Sequence, residues 1–501
     1  MITRLKIDGF KNLSQVEVHF GPFTCIAGGN AVGKSNLFDA IQFLSYLADR
    51  PLLEAARSIR SEEAMDGEVQ SLFERGPEEA ERRMSFEVDL IIPAEGEDHL
   101  GQSAEASITA LRYRLVLGLN AHPLSGPESL LTIVHEELAP IPVSEARSNL
   151  GFAASTEWKK AVIKGRRPRT NLFISTEKQE DGRIHVRLHQ DGQRSNLKRL
   201  PADRLPRTAL SSVDAGQYPT ALLARQEMRS WHLLQLEPSA LRQSDRYDDL
   251  LQWQQAKLDQ HGRHLPATLL RLDRTATDPD APQAVFQQLT NRLSELVGGV
   301  KGISVEKDDR QQLLTLYLTD RLGGKHAARA LSDGTLRFLG LSVIEQDPDF
   351  LGVICLEEPE NGIHPAKVPA MLRLLRDIAL DPREDLDPSN PLRQVIINTH
   401  SPQVVQQVPY ASMLLLDVQP VRLPDGRKGQ APVFHAIEGT WRMEESKQAC
   451  YRFLRPAQLR AYLAQSTEDY LSMAEPQATY PNQESEPNIA EWAGLQLKLN
   501  F

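Results

Sequence analysis

The sequence predicts an α/β chain, a mixed sheet flanked by helices and split by a large α+β and helical insertion. Three observations lead there. Residues 2–8 (ITRLKID) and 14–20 (SQVEVHF) alternate apolar and polar, as half-buried strands do, while 23–27 (FTCIA) is a short unbroken apolar run suited to a fully buried strand. A glycine-rich loop follows that run at once and leads into 37–47 (LFDAIQFLSYL), apolar at helical spacing. After residue 330 the chain reads as helix 335–346, strand 351–356, helix 365–378, strand 393–398 and strand 413–418.

Between these ends the character is more mixed. FEVDLII (86–92), LRYRLVLGL (111–119), RIHVRLHQ (183–190) and QQLLTLYLT (311–319) read as strands, and 218–235 and 284–297 have helical spacing. No heptad pattern lasts three or four repeats, which argues against a long coiled coil. The segment 379–391 (ALDPREDLDPSNP) is a loop rich in Asp and Pro, and 441–463 reads as charged helix. The polar, proline-bearing stretch 474–488 reads as disordered or as a surface tail.

Bulk composition narrows the class. The 501 residues allow roughly two to four domains. Apolar residues make up 41% and charged residues 25%, an ordinary globular balance. A net charge of −10 argues against a chain coated in basic charge, without excluding a local basic face. No run reaches the length of a membrane helix, and the first residues lack a secretory pattern, so the cytoplasm is the expected location and no membrane is expected as partner. Three cysteines give neither a disulfide framework nor metal-ligand spacing; Cys25 and Cys355 lie in apolar runs and read as small buried hydrophobes.

Four motifs carry chemistry. Gly28-Gly29-Asn30-Ala31-Val32-Gly33-Lys34-Ser35 matches G-x-x-x-x-G-K-[ST]. Its glycines let backbone N–H groups turn toward phosphate oxygens, Lys34 can reach the terminal phosphates, and the Ser35 hydroxyl can bind Mg²⁺; Asn30, Ala31 and Asn36 belong to the same cradle. LGVICLEEPE (351–360) delivers two carboxylates to the C-terminal tip of a buried strand, Glu357 to support a metal and Glu358 to orient water; a strand ending in solvated acids is the plainer reading. Ser332 and the Gly334 amide of LSDGT (331–335) can hold a phosphate at a helix start, or Ser332 can simply cap that helix. His400, after VIINT (395–399), can donate to a γ-phosphate or be structural.

In this order the motifs resemble the ABC-type ATPases, and LSDGT, LEEPENGIHP and NTHS look most like the RecF/OLD-like branch of SMC-related bacterial proteins. The resemblance covers about 1–50 and 325–420. LSDGT departs from the transporter form LSGGQ at Asp333 and Thr335, and Glu357 stands where many ABC proteins have Asp. The resemblance implies an ABC-type P-loop ATPase head: residues 1–50 its N-terminal part, 51–325 an inserted lobe partly completing the head sheet, 326–440 its C-terminal part, and 441–501 a helical extension with a polar tail.

It also implies a mechanism in which two ATPs, with Mg²⁺, are sandwiched between two heads. Lys34, Ser35, Glu358 and His400 then act in cis, and Ser332 and Gly334 in trans. Lys11, in GFKNL, matches a basic residue that reaches the nucleotide phosphates in this branch, though a surface lysine on a turn fits as well. The branch has a Gln that senses Mg²⁺ after an early strand; Gln42, inside the helix after the P-loop, is a poor match. The implied partners are a second copy of the chain, or a higher homo-oligomer, and a separately encoded effector in phage defence. Direct DNA binding, in repair or replication, is the alternative. Lys159, Lys160, Lys164, Arg166, Arg167 and Arg169, and a second cluster of Arg194, Lys198, Arg199, Arg204 and Arg207, read as DNA-phosphate contacts or, in preference, as solvated loops. No nuclease module is expected after His400, where no strand ends in an Asp-x-Asp pair.

Overall fold

The structure is a computed structural model. It describes residues 1–30, 32–59, 69–74, 82–120, 130–165, 172–180, 182–191, 198–246, 256–275, 284–422, 428–444 and 447–459. The chain divides into two compact units: Met1–Trp231 with Pro382–Leu386 and Pro409–Phe501, and His232–Asp381 with Asp387–Val408.

The first unit opens with β1 (Ile2–Asp8), β2 (Val16–His19) and β3 (Phe23–Ala27), followed by the helix Lys34–Leu47. Then come β4 (Arg83–Ile91), a hairpin of β5 (Glu95–Glu97) and β6 (Ser103–Glu105), β7 (Ala110–Leu119), β8 (Leu131–Pro140), β9 (Ile174–Lys178), β10 (Ile184–Leu188) and β11 (Lys198–Pro201). Eight of these form one antiparallel sheet in the order β11-β10-β9-β8-β7-β4-β1-β2. Alternation in β1, β4 and β7 buries one face of this sheet, and the helix Lys34–Leu47 is tied to it by an aromatic triad. Phe43 of that helix lies 5.8 Å from Phe10, which follows β1, and 5.9 Å from Phe86 of β4; Phe10 and Phe86 are 5.6 Å apart. Such pairs add about 0.5–1.5 kcal/mol each beyond their buried area, so the P-loop helix is anchored through its third turn.

The second unit holds β12 (His232–Leu234), β13 (Asp245–Arg246), β14 (Val300–Asp308), β15 (Leu313–Asp320), β16 (Lys325–Ala327), the helix Asp333–Gln346, β17 (Gly352–Glu357), the helix Val368–Ile378 and β18 (Arg393–Thr399). β12, β17 and β18 run parallel, with β17 in the middle. All seven residues of β18 are buried, the polar Arg393, Gln394, Asn398 and Thr399 included. Buried Arg393 on β18 donates to the carbonyls of Ile344 (2.9 Å) and Asp347 (3.0 Å), closing the C-terminal end of the helix Asp333–Gln346.

The chain then returns to the first unit as β19 (Met413–Arg422), β20 (Lys428–Ile437) and β21 (Arg452–Leu454). β19 pairs in parallel with β3 and antiparallel with β20, which takes β21 in parallel. This corrects the expected helix at 441–463: its described part is 3₁₀ turns at Trp441–Met443 and Gln448–Cys450, strand β21, and a single helical turn at 456–459. The reason is tertiary. Arg442 is buried and donates to the carbonyls of Ala411 (2.8 Å) and His19 (3.2 Å), and Trp441 Nε1 donates to Ala411 (2.9 Å). The expected helix 218–235 stops at Arg229, and β12 begins three residues later. The tail at 474–488 lies outside the described residues.

Candidate functional site

The P-loop lies in the first unit. β3 is buried along its whole length and passes straight into Gly28. A Cβ at Gly28 would lie 2.4 Å from the Leu416 carbonyl oxygen, so only glycine lets the loop leave the strand there. Gly33 caps the helix at φ 108°, a left-handed conformation, and a Cβ on it would meet the Asn12 amide at 2.8 Å. The helix has no side-chain cap and no acid in its first turn. A helix start with neither a side-chain cap nor an acid presents a positive dipole end suited to an anion. Buried Lys34 donates from Nζ to the carbonyls of Gly28 (2.8 Å) and Gly29 (2.6 Å), curling the loop around its ammonium.

These features fit a triphosphate: a glycine-only bend, an uncapped helix start and an ammonium at the centre of the loop. Ser35 is half-buried in the first turn, Asn30 is exposed, and Ala31 lies outside the described residues. Asn36 donates to Asn12 Oδ1 at 2.7 Å, bracing the loop from behind. Lys11 sits at φ 51° and pairs through Nζ with buried Asp39 of the same helix at 2.6 Å. In this structure the Lys11 charge is thus directed to the P-loop helix itself.

The second unit holds the acids. β17 ends at half-buried Glu357, whose Oε1 is 3.5 Å from Asn398 Nδ2. The next residue, Glu358, turns to φ 45°. Its N–H is shared by the carbonyl and side-chain oxygens of Asn398, both at 3.1 Å. A left-handed non-glycine residue costs on the order of 1 kcal/mol, and such strain persists where the surroundings fix it. Here the carboxylate is held on both oxygens, by His400 Nδ1 at 2.7 Å on Oε1 and by Asn361 Nδ2 at 2.8 Å on Oε2. With Nδ1 so engaged, Nε2 is the His400 nitrogen that can meet a phosphate. Beside them Glu360 is buried and accepts a hydrogen bond from the Thr399 hydroxyl, while its Oε2 has no hydrogen-bond partner among the described residues. Burial pushes its carboxyl pKa up, against the lowering effect of Thr399.

Ser332 caps the helix Asp333–Gln346: its Oγ accepts from Thr335 N at 3.4 Å and lies 2.7 Å from Thr335 Oγ1. A Cβ at Gly334 would come within 2.4 Å of the Gly362 carbonyl oxygen, so the helix start packs directly on the turn after the double acid. Sequence reasoning missed Gln235. It follows β12, which lies beside β17, and with Glu237, Arg337, Glu357, Glu358 and Asn361 it lines a cavity of 330 Å³. The signal was hidden because β12 has three residues and continues the apolar spacing of the preceding helix.

Oxygen, nitrogen and sulfur donors suited to a cation occur at three places. Ser35 in the first unit and Glu357 in the second each offer a hard oxygen donor of the kind Mg²⁺ takes. Glu17, His19 and Cys450 bring ligand atoms within 4.8 Å of one another. Arg4 Nε already occupies Glu17 Oε1 at 2.6 Å, so an ion pair holds one of these three donors, and burial drives the His19 pKa down to about 3, keeping its ring neutral. Of the basic clusters, Lys159 and Lys160 end the helix Thr156–Val162, and Lys198 and Arg199 lie on β11. Arg166, Arg167, Arg169 and Arg194 lie outside the described residues. Among the described residues no helix is long and apolar enough to cross a membrane.

Comparison with known proteins gives a family and several partial relatives. The chain is similar to the DNA replication and repair protein RecF of Bacteroides fragilis, 34% identical over 84 residues, 15% of this chain and 23% of that one. It is similar to RecF of Porphyromonas gingivalis, 27% identical over 132 residues, 24% of this chain and 35% of that one. The matches thus span about a quarter to a third of these relatives' lengths. Among solved structures, an SMC head bound to the C-winged helix domain of ScpA aligns with TM-score 0.40 and 13% identity over 86% of this chain and 98% of that one. The SMC head domain from Thermotoga maritima aligns with TM-score 0.33 and 13% identity over 86% of this chain and 98% of that one. The model of the family described as "AAA domain, putative AbiEii toxin, Type IV TA system" matches residues 23–406, from the strand before the P-loop to beyond His400, and the chain belongs to that family.

Proposed function

We propose that the chain binds and slowly hydrolyses ATP and uses it as a switch that brings two copies together. The observation that carries this reading is the Glu358 carboxylate, fixed by His400 and Asn361 on a left-handed residue at the tip of β17. A carboxylate clamped on both oxygens is placed to orient and polarise water, the task a phosphoryl transfer to water requires. Lys34, the loop amides and Ser35 would hold the phosphates, and Ser35 and Glu357 would each be a donor to Mg²⁺. Bound Mg²⁺ would neutralise charge on the phosphate oxygens. Ser332 and Gly334 act on a nucleotide carried by the second copy.

The test is mass in solution. With a non-hydrolysable ATP analogue and Mg²⁺ the mass should rise from one chain to two, and with ADP it should return. A mass unmoved by the analogue under conditions where it binds would remove the switch. Gln235 is proposed as the residue that reports Mg²⁺ to the acids: Gln235→Ala should raise the Mg²⁺ concentration for half-maximal hydrolysis several-fold while leaving ATP affinity in place. An unchanged Mg²⁺ titration would reassign it to the cavity wall.

The family description names a toxin of a type IV TA system, which supports a role in defence alongside a separately encoded partner. The partial similarity to RecF supports a second reading, direct action on DNA in repair or replication. Duplex DNA that stimulates hydrolysis in a salt-sensitive way favours the second reading; indifference to DNA favours the first.

A further inference from the structure

Asp333 poses an electrostatic problem. It stands between Ser332 and Gly334, the two residues proposed to receive a phosphate from a second copy, and a carboxylate there repels a triphosphate. Arg242 meets that carboxylate. It follows the short helix Pro238–Leu241, seven residues beyond Gln235. Its Nη2 donates both to Asp333 Oδ1 at 2.5 Å and to the Leu331 carbonyl at 3.0 Å. One guanidinium nitrogen therefore grips the loop on either side of Ser332.

The pair is not placed to stabilise the fold. The Asp333 side chain is 56% exposed and that of Arg242 30%, and pairs so exposed contribute little to stability. Nor is Asp333 needed to cap its helix, since Ser332 does that. What the contact does is cancel a negative charge at the mouth of an anion site and fix the backbone beside it.

We infer that Arg242 is a positioning residue of the LSDGT loop, neutralising Asp333 and holding the Leu331 carbonyl so that the loop accepts the triphosphate of a nucleotide bound to another copy of the chain. This rests on the ATP-switch reading and deepens it. The segment from Gln235 to Arg242 then joins the cavity lined by Glu357 and Glu358 at one end to the phosphate-receiving loop at the other.

The experiment uses the full chain carrying Glu358→Gln, with dimerisation by ATP followed by light scattering. Adding Arg242→Ala should weaken ATP-dependent dimerisation by about tenfold or more. Binding of a fluorescent ATP analogue to the monomer and the thermal midpoint should not move. Adding Asp333→Asn to that variant should restore most of the loss, because the carboxylate that needed neutralising is gone. A purely structural role for Arg242 predicts no rescue. Dimerisation unchanged by Arg242→Ala, or not rescued by Asp333→Asn, overturns the inference and leaves the switch standing. If the Glu358→Gln parent itself fails to dimerise with ATP, the switch falls and this inference with it.

Discussion

Glu358→Gln should lower ATP turnover by about a hundredfold or more, the usual worth of a positioned base, while leaving ATP bound and the two-chain species trapped. The substitution is nearly isosteric. It keeps one hydrogen-bond acceptor for either His400 Nδ1 or Asn361 Nδ2, which lie 2.7 and 2.8 Å from the two carboxylate oxygens, but replaces the other oxygen with a donor. It removes the charge that draws a proton from water and leaves the strand tip intact. Single-turnover hydrolysis separates this from a binding defect: the burst of ADP should vanish while nucleotide retention lengthens. Turnover within a few-fold of the parent would mean that Glu358 is not the base, and attention would pass to Glu357.

Lys34→Ala should act a step earlier, weakening ATP binding itself. The Lys34 ammonium is buried and donates to two loop carbonyls. With nucleotide present, these donors pass to phosphate oxygens as charge-assisted bonds worth about 1.5–3 kcal/mol each. Losing two weakens ATP by about a hundredfold or more. Lys34→Arg should not rescue, since a planar fork cannot replace a point charge inside so tight a loop. Titration with a fluorescent ATP analogue reads the result, and an unshifted circular-dichroism melt shows the fold is intact. Affinity within a few-fold of the parent after Lys34→Ala would mean the loop does not cradle the triphosphate.

The sequence made some of this legible and hid the rest for physical reasons. β3, the P-loop helix, β17 and β18 stand out because strands buried on both faces carry a continuous apolar stretch (FTCIA, VICL, VII) and glycines mark the bends. The short strand β12 does not stand out, since three residues carry no period, and Gln235 was lost with it. The motif LEEPE shows three acids in a row of four residues but not which is clamped, which is buried, or that Asn361 and Asn398 organise them. Lys11 reads as a surface lysine or a phosphate ligand, because its partner Asp39 lies 28 residues away on another element. The C-terminal segment reads as helix by composition, and buried Arg442 overrides that by tying it to carbonyls of the first unit.

The pairing of β3 with β19 has a consequence for how the protein is made. Cys25, Ile26 and Ala27 are matched with Met413, Leu414 and Leu415, and the Leu416 carbonyl forms the floor under Gly28. The strand that carries the P-loop is thus supported by residues synthesised almost four hundred positions later. At about 5–20 residues per second that interval is on the order of 20–80 s. Throughout it the P-loop peptide exists without the backbone it hangs on. A nascent chain that has not reached β19 therefore cannot hold nucleotide through a finished cradle, and the switch can be thrown only by molecules whose translation has passed β19.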